Sequence, residues 1–168
     1  MTLADALTLV DYHYWARDRM LEAVEVLTPE QYTKDLGSSF KSVRDTVVHT
    51  YAGELNWYLR WIGKSPTAMA DPEAFPTVAS IRHAWKAQEA NVRPLVRSMG
   101  AELDRVIKYE TLAGEPMESV FSHMLQHVVN HATYHRGQVT TMLRQLGAPA
   151  PKPQDLIRFY RDRATRVH

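Results

Sequence analysis

Between residues 119 and 146 the apolar positions of this chain recur at helical spacing, and the stripe they draw carries histidine. Met124, Val128, Val139 and Met142 mark one face. His135 lies on that face, and His131 falls between Val128 and His135. With His127 they make three histidines at four-residue intervals. Residues four apart on a helix have Cβ atoms about 5–6 Å apart, so His131 and His135 present their rings from the same side. A buried polar group needs a partner, and two imidazoles on a core face need several. Hydrogen-bonded core histidines are one solution; a shared metal ion satisfies both rings together. His49, in a separate amphipathic segment, offers a third nitrogen. Three imidazoles with one position left open are catalytic in type, since structural zinc sites have all four positions filled by protein. His127 lies about 40° from His131 but about 80° from His135 around the helix, which reads as a supporting or surface residue.

The chain has no cysteine, which excludes disulfides, a thiolate nucleophile and cysteine-ligated zinc or iron–sulfur centres. Any metal ligand must then be His, Asp or Glu. Zinc and nickel lead the candidates, with manganese and iron behind them and cobalt also open. Any thiol chemistry would need a thiol brought in by a substrate. The net charge of +1 gives no electrostatic reason to expect nucleic acid or an anionic membrane. With 45% hydrophobic and 23% charged residues, the 168-residue chain suits one globular domain, 1–168. No apolar run approaches the roughly 18–20 residues of a membrane span, and the start lacks signal-peptide character. The expected location is the cytoplasm.

Four long helices are predicted. The first covers 3–27, opened by Thr2 with Asp5 as a capping box and closed by Thr28-Pro29. Residues 29–41 read as a turn-rich link, loosest at Gly37-Ser38-Ser39. The second helix covers 43–62, with Ser42 as cap and Gly63 as stop. In it His49, Gly53 and Trp57 share one line, and Gly53 makes room either for a ligand or for a close helix. Prolines at 66, 72 and 76 mark an irregular loop. The third helix covers 78–99, with Thr77 as cap, and Pro94 inside it should kink it or end it early. Residues 103–118 break the pattern and suit a short hairpin or an extended connection. The fourth helix covers 119–146. A proline-rich link then leads to a short final helix, 154–163, with Leu156, Ile157, Phe159 and Tyr160 packed down. The expected fold is all-α, a four-helix bundle with a short C-terminal helix.

Other chemistries lack their residues. There is no Gly-rich phosphate loop, no Gly-x-Ser-x-Gly elbow and no His-Glu-x-x-His. Two residues remain as catalytic candidates. Glu54, one turn beyond His49 but rotated from it, would supply a carboxylate; its ordinary role is a polar contact at a helix edge. Arg136, beside His135, would hold an anionic substrate group near a metal; its ordinary role is a solvated or paired cation. Tyr134 and Gln138 flank the same pair. Aromatic residues at 12, 14, 15, 57, 58 and 61 read first as packing.

The run Asn130-His131-x-x-x-His135-Arg136-Gly137-Gln138, followed by Leu143-Arg144-x-Leu146-Gly147, resembles the last bundle helix of the DinB/YfiT-like family of metalloenzymes. Val47-Val48-His49 with Glu54 and Trp57 resembles that family's second helix, and Tyr14-Trp15 with Arg19 and Leu21 its first. The resemblance implies an up-down-down-up bundle and one divalent metal ion held by His49, His131 and His135. It also implies a homodimer. Some relatives are thiol transferases or isomerases using a low-molecular-weight thiol. The expected activity is therefore metal-dependent transfer of such a thiol to a small-molecule electrophile. The alternatives are metal-dependent hydrolysis and a noncatalytic metal-binding stress or scaffold role.

Overall fold

Three of the four long helices begin where a side chain caps them. Thr2 and Asp5 form the expected reciprocal capping box at the start of α1 (Leu3–Val24). Ser42 caps α3 (Val43–Trp61) through Asp45 N, and Thr77 caps α4 (Val78–Met99) with Ser80 completing a second box. Helix α5 (Phe121–Gln145) follows a strand and has no side-chain cap. Gly63 and Gly147 stop α3 and α5 at φ of 80° and 71°, a region that favours glycine. The structure, a computed structural model, describes residues 1–165. The last three residues of the expected 1–168 domain lie outside the described residues.

Specific contacts fix the directions of the helices. Helices α1 and α4 run antiparallel, since Glu25 pairs with Arg82, Arg17 with Glu89 and Asp11 with Arg93. Helices α3 and α5 also run antiparallel: Thr46 meets Met142, Trp57 meets His127 and Trp61 meets Phe121. After α4, strands β1 (Val106–Glu110) and β2 (Pro116–Val120) form an antiparallel hairpin with Ile107 opposite Ser119. Phe121 N then donates to Arg105 O, so α5 starts at the end where α4 stops and runs with α1. Residues 62–77 return along α3: Asn56 Nδ2 bonds Ala68 O, Phe75 packs on Tyr51, and Arg44 pairs with Glu73. The order is up, down, down, up, as expected, and the chain is an all-α bundle with one small hairpin.

Four local expectations need correction. Thr28-Pro29 ends α1 but also opens a five-residue helix, α2 (Pro29–Thr33), because Thr28 makes a third capping box with Gln31 and proline is preset for a first helical position. The link expected at 29–41 is therefore partly helical. Pro94 neither ends nor shortens α4. Ala90, the residue whose carbonyl Pro94 cannot engage, is exposed, so water can take that oxygen. Ser119 belongs to the hairpin, where strand pairing delays α5 to Phe121. Finally, α6 (Leu156–Ala164) buries only Phe159, which meets Tyr12 and Trp15 of α1, while Asp162 pairs with Arg19 and Arg163 with Asp11 at its edge. Leu156, Ile157 and Tyr160 stay exposed at 37%, 58% and 45%.

The contrast between core and α6 gives a direct test. Leu21 is fully buried, so Leu21→Ala should cost about 2–5 kcal/mol. Ile157→Ala should change stability by no more than about 0.5 kcal/mol, as for other exposed positions. Urea unfolding of both variants checks the pair. A large loss for Ile157→Ala would mean that the exposed face of α6 is covered in solution.

Candidate metal centre

Antiparallel α3 and α5 bring His49 opposite His131 and His135. His131 Nε2 lies 3.0 Å from His135 Nε2 and 3.2 Å from His49 Nε2. Each ring offers one nitrogen, and the three lie within 4.8 Å of one another. A tetrahedral ion with metal–nitrogen bonds of 2.0–2.1 Å needs donor atoms about 3.3 Å apart. The donor set and its spacing fit a divalent cation. His135 is buried, while His49 and His131 are half-buried.

The helix approach depends on Gly53. A Cβ at that position would lie 3.0 Å from His131 Cε1 and 3.3 Å from its Nδ1. The missing side chain thus makes the space that the His131 ring occupies, which resolves the two readings of Gly53. Gln138 sits one turn beyond His135, with Oε1 2.7 Å from His135 Nδ1. When Nδ1–H donates there, Nε2 keeps its lone pair facing the other rings. Phe40 stacks on His49 at 4.0 Å and meets His135 edge-on at 5.5 Å. His127 is exposed, packs on Trp57 and stands outside the cluster.

All three rings are held toward the neutral form that ligation requires. Burial, and then the neighbouring His135, pushes His49 down to about 4. Burial and the other histidines push His131 down to about 4 as well. Burial lowers His135 against the opposing bond to Gln138. Three closely placed imidazoles would repel one another if charged, and the half-dry setting adds to that cost.

The two catalytic candidates point elsewhere. Glu54 is 2% exposed and fully engaged: its carboxyl accepts from Tyr14 Oη at 2.8 Å and Trp85 Nε1 at 2.6 Å, and lies 2.7 Å from His13 Nε2. Its contacts lie with α1 and α4, and it is not in the histidine cluster. Burial and Glu54 together raise the Tyr14 hydroxyl well above its ordinary value, so it stays a proton donor. Arg136 is 3% exposed and donates from Nη2 to Tyr12 Oη at 3.1 Å and Thr133 Oγ1 at 2.7 Å. It lines a groove on another side of α5. Phe40 and His13 had escaped the sequence reading. Phe40 sits in the loosest link, where only its aromatic character among polar neighbours signalled a buried role. His13 stands between Tyr12 and Tyr14, aromatic residues that read as packing, and nothing local pairs it with Glu54, 41 residues away.

An antiparallel bundle with three neutral imidazoles converging from two facing helices defines a class: bundle proteins with a metal-type site in the core between helices. The chain belongs to the DinB family, whose sequence model matches residues 2–163. It is 29% identical over 161 residues to Protein DinB of Bacillus subtilis (strain 168), covering 92% of this chain and 94% of that one. Its fold is similar to that of a DinB-like protein from Bacillus cereus ATCC 10987, with a TM-score of 0.62 at 18% identity, covering 86% of this chain and 95% of that chain.

Two outcomes follow from the geometry. The unfolded chain protonates histidines near their ordinary value of 6.5, whereas folded His49 and His131 resist protonation to about 4. Metal-free protein should hold its histidine-dependent stability above about pH 6.5 and lose it progressively toward pH 4. Chemical unfolding across that window checks the sign, and the slope should shrink in His49→Ala. Gly53→Ala should gain up to about 1 kcal/mol of helix propensity, while its Cβ displaces the His131 ring. Calorimetric zinc titration should therefore show weaker metal binding without matching loss of fold. Unchanged affinity would mean that the ring moves aside freely.

Proposed function

We propose that His49, His131 and His135 hold one divalent cation, zinc or nickel before manganese or iron, and that the protein is a metal-dependent enzyme. The preferred reaction is transfer of a low-molecular-weight thiol to a small electrophile. One observation carries the reading: three neutral imidazole nitrogens converge, and no carboxylate joins them among the described residues. A bound cation would supply Lewis acidity and lower the pKa of a thiol or water beside it. Three neutral donors leave its charge uncompensated, which favours an anionic partner. The chain contains no cysteine, so a thiolate partner must arrive with a small molecule.

The protein's own residues support thiol chemistry over a protease-like hydrolysis. Glu54 is bonded to Tyr14 and Trp85 and is not free as a general base beside the cluster. Gln138 orients His135, and Phe40 covers the rings of His49 and His135 with an apolar face. His49 and His131 remain half-exposed, leaving access for a small molecule.

Elemental analysis of untagged protein should find about one divalent ion per chain. His131→Ala and His135→Ala should each abolish tight binding, whereas His127→Ala should weaken it by no more than about 10–100-fold. In cobalt-loaded protein, adding glutathione, bacillithiol, mycothiol or coenzyme A should change the absorption with one of them, and His49→Ala should lose that change. Metal that never reaches stoichiometry would overturn the reading. Stoichiometric metal with no response to any thiol would replace thiol transfer by hydrolysis or a noncatalytic role.

A further inference from the structure

Arg136 is 97% withdrawn from solvent, yet no carboxylate pairs with it among the described residues. A buried cation without a counter-charge is costly, and proteins rarely keep one without a partner. Its surroundings hold the guanidinium in place without neutralising it. Nη2 donates to the Tyr12 and Thr133 hydroxyls, and Tyr12 Oη donates onward to Gln154 O at 3.0 Å. Arg136 Nε has no acceptor, and neither does the buried side-chain nitrogen of Gln154.

These groups border one groove of about 560 Å³ between α5 and the link that leads to α6. That volume suits a small molecule. Thr133, Gly137 and Thr140 line it from α5, whereas the histidines face α3. Arg144 and Lys152 add positive charge at its edge. Lys152 also reaches Glu22 at 3.1 Å, and Asp155 is the one carboxylate of the lining. The groove lining thus sets three cationic side chains, Arg136, Arg144 and Lys152, against one carboxylate. A planar guanidinium matches the paired oxygens of carboxylate and phosphate.

We propose that this groove binds a small anion through a carboxylate or phosphate group, with Arg136 as its principal contact. The site is separate from the histidine cluster and does not depend on the metal reading.

The test titrates inorganic phosphate and, separately, succinate into the ¹⁵N-labelled full chain at constant ionic strength, as purified and after chelation. Saturable shifts at Gly137, Thr140 and Gln154, present in both metal states, are expected. Arg136→Met keeps an aliphatic stem and removes the unpaired charge, so it should fold and lose saturable binding. If it fails to fold, Gly137→Leu serves instead: a Cβ at Gly137 meets nothing within 4 Å, and the larger side chain would fill the groove. It should weaken binding by roughly tenfold or more while the fold persists. Phosphate response without succinate response assigns a phosphate site, and the reverse a carboxylate site. Shifts confined to metal-loaded protein, no saturable response, or unchanged midpoints in the folded variants would overturn the proposal.

Discussion

The close approach of α3 and α5 at Gly53 is the constraint on which the histidine cluster depends. His131 occupies the volume that any other residue at position 53 would fill. That lets its Nε2 come within 3.0–3.2 Å of both other rings. Glycine weakens a helix by about 1 kcal/mol relative to alanine. At this position the cost purchases a contact that no side chain would permit. Antiparallel pairing then sets the level at which His49 meets His135.

A second polar cluster ties the other helices to α3. Glu54 follows Gly53 in sequence and points to the other side, where Tyr14 and His13 of α1 and Trp85 of α4 converge on its carboxyl. Three helices are thereby registered at one level beside the site. A fully partnered buried polar group specifies one packing arrangement, because any slip leaves donors unsatisfied. The histidines and Glu54 are thus neighbours on one helix with different tasks: the rings converge on each other, and the carboxyl fixes the scaffold that carries them.

Arg136 shows how adjacent residues on a helix are separated in function. It follows His135 in the chain, but successive residues turn by about 100° around the axis. His135 therefore faces α3, while Arg136 meets Tyr12 and Thr133 and borders a groove. The same rotation separates Glu54 from the line of His49 and Gly53. Glu54 and Arg136 thus lie in two different environments, both apart from the histidine cluster.

Much of the molecule was legible in the amino-acid sequence because its signals are local. Caps at Thr2, Ser42 and Thr77, stops at Gly63 and Gly147, and the 3.6-residue stripe of α5 set the long helices within a few residues. His131 and His135 were paired by spacing alone, and His49 by its place on an amphipathic segment. Tertiary structure decided what spacing cannot reach. It placed Phe40 over His49 and His13 against Glu54, turned Arg136 away from the rings, and left Ile157 and Tyr160 uncovered on α6. Helical periodicity reports which face of a segment is apolar; it carries no information about which distant segment that face will meet.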